Sequence, residues 1–237
     1  MKKVNVKIFT KSITLMLLAF VMCLGITACG TSENNDTNDS NDTVTAEENA
    51  SDSGTTNSGG KALVAYFSWA DNAVTDSNTD AIASPSVMAP GNVQELASWV
   101  QEGTDADIFS IQVEDKYSDD WDECLDRANQ ERAEDARPAL TASVENIDQY
   151  DTIFIGYPNW WYGVPMPLLT FFEENDLSGK QVYLFCSHGT GGLAQSVDII
   201  TEALPNSTIS ENVFDCYEQD ASSSQQDIES WLSELGY

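Results

Sequence analysis

Positive charge is what this chain has least of. Its 237 residues carry 10 Lys and Arg against 39 Asp and Glu, and only one histidine. So acidic a surface repels phosphate backbones and anionic lipid headgroups, which excludes nucleic-acid binding and membrane attachment through a basic patch. Basic partners would be steered toward it. Cysteine is sparse as well. The five cysteines show neither C-x-x-C nor zinc-ligand spacing, so the sequence offers no disulfide framework and no structural metal site. Long apolar runs are confined to one place, residues 13–26.

That run follows Lys2, Lys3, Lys7 and Lys11, the basic-then-apolar pattern of an export signal. It ends at Ile26-Thr27-Ala28-Cys29, which resembles the lipobox of bacterial lipoproteins, with Cys29 as the lipidated residue after cleavage at 28. The alternative is an uncleaved anchor, since the stretch lies near the lower length limit of a membrane span. Either way the remainder is expected outside the cytoplasmic membrane, held to it by the anchor alone. Removing residues 1–28 takes four positive charges and no negative ones, so the formal net charge moves from −29 to −33. Residues 30–60 are Asn, Asp, Ser, Thr, Glu and Gly with almost nothing apolar. Such a segment cannot bury enough surface to offset chain entropy, and it reads, with Cys29 at its head, as a disordered tether reaching on the order of 30 Å. The folded domain is expected over 61–237, long enough for one full core. Of its three cysteines, Cys124, Cys186 and Cys216, export would permit one pair to join.

Within the domain, apolar runs alternate with helical patterns. Strands are expected at 62–67, 107–113, 152–156, 181–186 and 207–214. Helices are expected at 93–101, 119–135, 165–175, 191–204 and 224–235, the last with Ile228, Trp231, Leu232 and Leu235 on one face. Strands alternating with helices imply a parallel sheet with right-handed crossovers and helices on both faces. Ligands of such sheets lie outside the carboxyl ends of the strands.

Three loops leave carboxyl ends, after Phe67, Gly156 and Cys186, and each is chemically loaded. The second holds Tyr157, Trp160, Trp161 and Tyr162, punctuated by Pro158 and Gly163. Four large rings in six residues forfeit burial unless something covers them. A flat, electron-poor aromatic ligand would do so; a protein interface, or the end of the core itself, would do so too. The third loop is Cys186-Ser187-His188-Gly189-Thr190-Gly191-Gly192, whose glycines let backbone N–H groups approach a ligand closely. His188, alone of its kind, reads as a local hydrogen-bonder or, less simply, a catalyst. The first loop begins Ser68-Trp69-Ala70-Asp71-Asn72, the small polar composition that holds phosphate at a helix N-terminus. Here a polar excursion, 73–89, intervenes before the helix that follows Pro90-Gly91-Asn92.

Taken in order, Val64-Ala65-Tyr66-Phe67-Ser68, Ile155-Gly156-Tyr157-Pro158-Asn159-Trp160-Trp161-Tyr162 and Ser187-His188-Gly189-Thr190-Gly191-Gly192 resemble the flavodoxin-like family, in particular its exported members. The resemblance runs from Lys61 to the C-terminus. It implies an α/β, doubly wound, five-stranded parallel sheet of order 2-1-3-4-5 that binds FMN noncovalently. By position, Ser68 and Asn72 would bond the phosphate, and Gly91 and Asn92 would supply helix-start amides. Pro158, Asn159, Trp160, Trp161, Tyr162 and Gly163 would line the flavin, with Ser187, His188, Gly189 and Gly192 at the ring edge. The chain departs from the family by splitting the phosphate loop, by placing Asp71 inside it, and by Val93 where the family has Thr.

Three functions follow. An FMN-dependent electron carrier outside the membrane needs no acid–base residue, because flavin supplies the chemistry. An FMN-dependent reductase would take hydride from a nicotinamide cofactor and reduce a quinone-like acceptor. A flavin-free binding or scaffold protein would have kept the fold alone.

Overall fold

The computed structural model describes residues 60–75 and 84–237; the expected signal at 1–28, the expected lipidation site Cys29 and the expected tether up to residue 59 lie outside the described residues. The described residues fall within one unit, Gly54–Tyr237. Its strands are β1 (Lys61–Tyr66), β2 (Ala73–Val74), β3 (Asp107–Ser110), β4 (Tyr117–Ser118), β5 (Tyr150–Pro158), β6 (Gln181–His188), β7 (Thr208–Ile209) and β8 (Phe214–Tyr217). Its helices are α1 (Trp69–Asn72), α2 (Asn92–Thr104), α3 (Trp121–Ala133), α4 (Met166–Glu174), α5 (Ser196–Ala203) and α6 (Gln225–Leu235).

The main sheet is parallel throughout and ordered β3-β1-β5-β6-β7, with β8 also on β6. Counting β7 and β8 as one interrupted strand gives the expected order 2-1-3-4-5; counted separately, the sheet has six strands. The break falls at 210–213, where the Asn212 amide bonds back to Ser210 Oγ. Beyond it, β8 rejoins β6 and carries the chain further than the expected end at 214.

Period-two alternation divides the apolar strands between two cores. Leu63 and Ala65, Ile153 and Ile155, and Leu184 and Cys186 face α4 and α5. Val64, Phe154 and Phe185 face the other way, onto Val93, Leu96 and Val100 of α2 and Ile228, Trp231 and Leu232 of α6. Both faces are thereby buried, as parallel sheets require. Cys186 belongs to the first core and Cys216 to the second, and all three domain thiols are free. Among the described residues, no helix is long and apolar enough to cross a membrane.

Two additions sit at the carboxyl ends of the strands. Residues 73–74 pair in parallel with 117–118 as a separate two-stranded sheet, which brings the excursion beside the insert. The insert folds as α3, capped by Asp120, whose carboxylate accepts from Glu123 N at 3.0 Å. Arg127 ties the helix down: it bonds Glu131 and the carbonyls of Asp115 and Lys116, with its guanidinium 4.1 Å from the centre of the Tyr117 ring.

Candidate flavin cleft

A cleft of about 260 Å³ opens at the carboxyl ends of β1, β5, β6 and β8. β5 and β6 run two residues past their expected ends, so Pro158 and Ser187 are paired within the sheet and the loops start beyond them.

One end of the cleft is built for an anion. Ser68, only 1% exposed, has a buried Oγ with no hydrogen-bond partner. Gly91 lies against it: a Cβ there would stand 2.3 Å from Ser68 Oγ and 2.9 Å from Ala70 Cβ, so only glycine allows this approach. Helix α2 starts at Asn92 with no side chain capping Gly91. Its first intrahelical bond runs from Glu95 N to Gly91 O, which leaves the preceding amides without helical acceptors and the positive end of the dipole at the cleft. Ser84 and Ser86, on the returning limb of the excursion, complete this end.

Asn72 does not join them. Its carboxamide is fully buried, donates to the carbonyls of Ser68 (2.8 Å) and Ile111 (3.0 Å), and accepts from Val113 N (2.8 Å). Those three bonds leave it nothing to offer a phosphate, so it fastens the first loop to the chain after β3. Asp71 also points away, accepting from Ser110 Oγ at 2.6 Å. The acidic neighbour of this end is instead Glu218, immediately after β8. Its carboxylate accepts from Ser84 Oγ at 3.0 Å and its carbonyl from Asn92 Nδ2 at 2.8 Å.

The other end is aromatic. Trp160 is a fixed wall, held edge-on by Phe67 (5.4 Å), Tyr117 (5.2 Å) and Trp69 (6.5 Å) between ring centroids. Trp161 and Tyr162 both have left-handed backbone, φ 52° and 62°, a conformation costing about 1–2 kcal/mol for each non-glycine residue. Bonds on both flanks hold it. Trp161 Nε1 donates to Leu125 O and Arg132 donates to Trp161 O, both from or to α3, while Gln195 N donates to Tyr162 O from the third loop. The result exposes Tyr162 to 61%, its ring lying over Gly191, where a Cβ would come within 3.0 Å.

Asn159 lines the cleft but spends its Nδ2 on Gly192 O (2.6 Å) and Leu193 O (3.0 Å), stitching the second loop to the third. Gly163 and Gly192 are set back from the cleft. Gly163 closes a turn onto Trp160 O and faces Ile199, and Gly192 takes φ 60° in the turn that receives Asn159. Gly91 acts from behind Ser68 rather than as a wall. Pro158, Ser187, His188 and Gly189 do line the cleft. Ser187 Oγ accepts from Asn92 Nδ2 at 3.2 Å. His188 reaches Gly189 O through Nδ1 (2.8 Å) and the Asp215 carboxylate through Nε2 (2.7 Å).

One wall had no counterpart among the expected site residues: Trp121, Cys124, Leu125 and Ala128 of α3. Their i, i+3, i+4, i+7 spacing is an apolar helical stripe, which the sequence contained. Burial pushes the Cys124 thiol up to about 12, so it acts here as a small apolar surface. No Lys or Arg among the described residues lines the cleft. Among the described residues, no cluster of His, Cys, Asp and Glu could hold a metal.

An orphaned buried hydroxyl beside bare helix amides, with an exposed ring at the far end, fits FMN as ligand. Solved structures resemble this chain to differing degrees. A provisionally assigned flavoprotein from Bacteroides eggerthii DSM 20697 is 25% identical over 75% of this chain and 99% of its own, with TM-score 0.57. A second, from Bacteroides uniformis ATCC 8492, is 26% identical over 74% and 99%, also at 0.57. A flavoprotein in complex with FMN, from Lactobacillus acidophilus NCFM, is 17% identical over 70% and 99%, at 0.49. No curated protein matches the chain significantly. The family model described as flavodoxin matches residues 61–235, and the chain therefore belongs to the flavodoxin family.

Proposed function

We propose that this protein binds FMN noncovalently in the cleft and carries electrons on the outer side of the cytoplasmic membrane, between a redox partner protein or a quinone-like molecule and a further acceptor. One observation carries the flavin reading: a single cleft joins the unpartnered Ser68 Oγ and the bare start of α2 at one end to the exposed Tyr162 ring at the other. The two Bacteroides relatives, assigned provisionally as flavoproteins, support it.

Bound FMN would supply the redox chemistry. The residues of this chain bind and orient it. Ser68 Oγ and the α2 amides take the phosphate, and Tyr162, with Trp161 behind it, takes the ring. The α3 stripe keeps water from one flank. The strongly acidic chain disfavours additional negative charge in the cleft and lowers a bound flavin's potential, to the extent that salt leaves distant charges unscreened. The same charge steers brief encounters with basic partners.

The outward location rests on the export signal and on Ile26-Thr27-Ala28-Cys29. The alternative activity, an FMN-dependent reductase using a nicotinamide cofactor, draws support from the apolar stripe of α3, which leaves a second flat ligand a wall to lie against. Titrating FMN into flavin-free protein tests the main reading: fluorescence quenching and a shifted visible spectrum are expected at micromolar flavin. No quenching at tens of micromolar would leave the flavin-free scaffold. Bleaching of the bound flavin by NADPH without any partner protein would favour the reductase.

A further inference from the structure

The anion end of the cleft contains a carboxylate that no phosphate-binding scheme calls for. Glu218 is fixed there by its backbone: its N–H donates to His188 O at 2.8 Å and its carbonyl accepts from Asn92 Nδ2 at 2.8 Å. It cannot swing clear by moving the chain, because β8 is paired to β6 through Tyr217. Its Oε2 accepts the Ser84 hydroxyl proton, and Ser84 Oγ lies 2.7 Å from Ser86 Oγ. With the Ser84 proton on Glu218, the Ser86 proton is the one that fills the Ser84–Ser86 bond. The Ser84 and Ser86 protons therefore run as a relay into the carboxylate, while Ser68 Oγ stands apart from it.

Building on the FMN reading, we propose that Glu218 sets the cleft's discrimination between phosphorylated and unphosphorylated flavin. A phosphate must draw the Ser84 and Ser86 protons away from Glu218 and then sit beside its negative charge. Among the described residues, the charged groups at this position are few. Asp71, on α1, is turned to Ser110. His188, on β6, is engaged by Asp215 of β8. No Lys or Arg among the described residues lines the cleft to offset the carboxylate. Hence Glu218 weakens binding of a ligand phosphate while leaving a flavin without one untouched. A placeholder of this kind also spares the ligand-free protein two unpaired hydroxyls.

The test is flavin titration of the purified full chain, native and Glu218→Gln, with FMN and riboflavin as separate probes read by fluorescence quenching. Glu218→Gln should bind FMN about tenfold more tightly than the native chain, the effect of one charge-assisted hydrogen bond regained. Its affinity for riboflavin should stay within about twofold. Glu218→Ala, which removes the acceptor as well as the charge, should widen the FMN-to-riboflavin ratio in the same direction. An unchanged ratio in both variants would overturn the proposal and leave the flavin site standing. Equal gain for both ligands would overturn it too, since Glu218 would then act on the cleft's shape. If native chain and variants bind neither flavin, the flavin reading fails and this inference falls with it.

Discussion

Arg132 donates to the carbonyl oxygen of Trp161 at 2.8 Å, binding the last turn of α3 to a residue whose backbone is left-handed. The bond links the charged insert to the aromatic loop, so an element far from any reacting atom helps to set the posture of Tyr162. Arg132→Ala should relax the loop. One exposed hydrogen bond contributes about 1 kcal/mol, so the urea midpoint is expected to fall by about 0.5 M and flavin affinity by up to roughly fivefold. Titration beside chemical denaturation checks both halves.

Asn159 makes a sharper case, because it donates to both Gly192 O and Leu193 O, of which only Leu193 O has further donors, Ser196 N and Oγ. Asn159→Ala should cost about 1–3 kcal/mol of stability and weaken flavin binding together. Asn159→Asp should do worse, since it turns a carboxylate on two carbonyl oxygens. If Asn159→Asp is as stable as the native chain, the stitch between the second and third loops is not real.

Burial raises the Cys124 thiol from 9.0 to about 12 and the Cys216 thiol to about 11. The folded protein keeps these protons at pH values where the unfolded chain has lost them. Their contribution to stability is thus complete below pH 9 and drains away as pH rises toward 12. Burial likewise raises Tyr66 to about 12, which extends the loss above pH 10. For Cys124 the full effect is at most about 4 kcal/mol. Denaturant midpoints at pH 7, 9 and 11 should decline over the last interval, and less steeply in Cys124→Ala.

Much of the sheet was legible because both-face burial writes β1, β5 and β6 as plain apolar runs; the strand expected at 107–113 ends already at Ser110, on a partly exposed edge. The fifth expected strand was read short. Asp215-Cys216-Tyr217 has no apolar run, and only pairing with β6 makes it a strand. Glu218 was missed with it, since its place in the cleft follows from that pairing. Asn72 shows a different limit: a small polar residue in a phosphate-type loop reads the same whether its carboxamide faces ligand or backbone. Nor could the composition of the insert show that α3 leans on the cleft, although 121, 124, 125 and 128 carried the stripe.

Lipidation at Cys29 is tested outside the domain. Cys29→Ala should release the protein from membranes into the soluble fraction. Retention of the variant after an alkaline wash would instead support the uncleaved anchor formed by residues 13–26.

Ser68 allows stability and binding to be separated. Its Oγ is buried without a partner, so the ligand-free protein bears the cost of a desolvated hydroxyl. Ser68→Ala removes that cost and should leave the ligand-free chain as stable as native or more so, by up to about 1 kcal/mol. The same change deletes a donor to the phosphate, so FMN affinity should fall about tenfold while riboflavin affinity holds. Native chain should itself prefer FMN over riboflavin by at least about tenfold. A Ser68→Ala chain that loses stability would show that the hydroxyl has a partner within the fold. One that binds FMN undiminished would remove Ser68 from the phosphate site and leave the α2 amides to hold it.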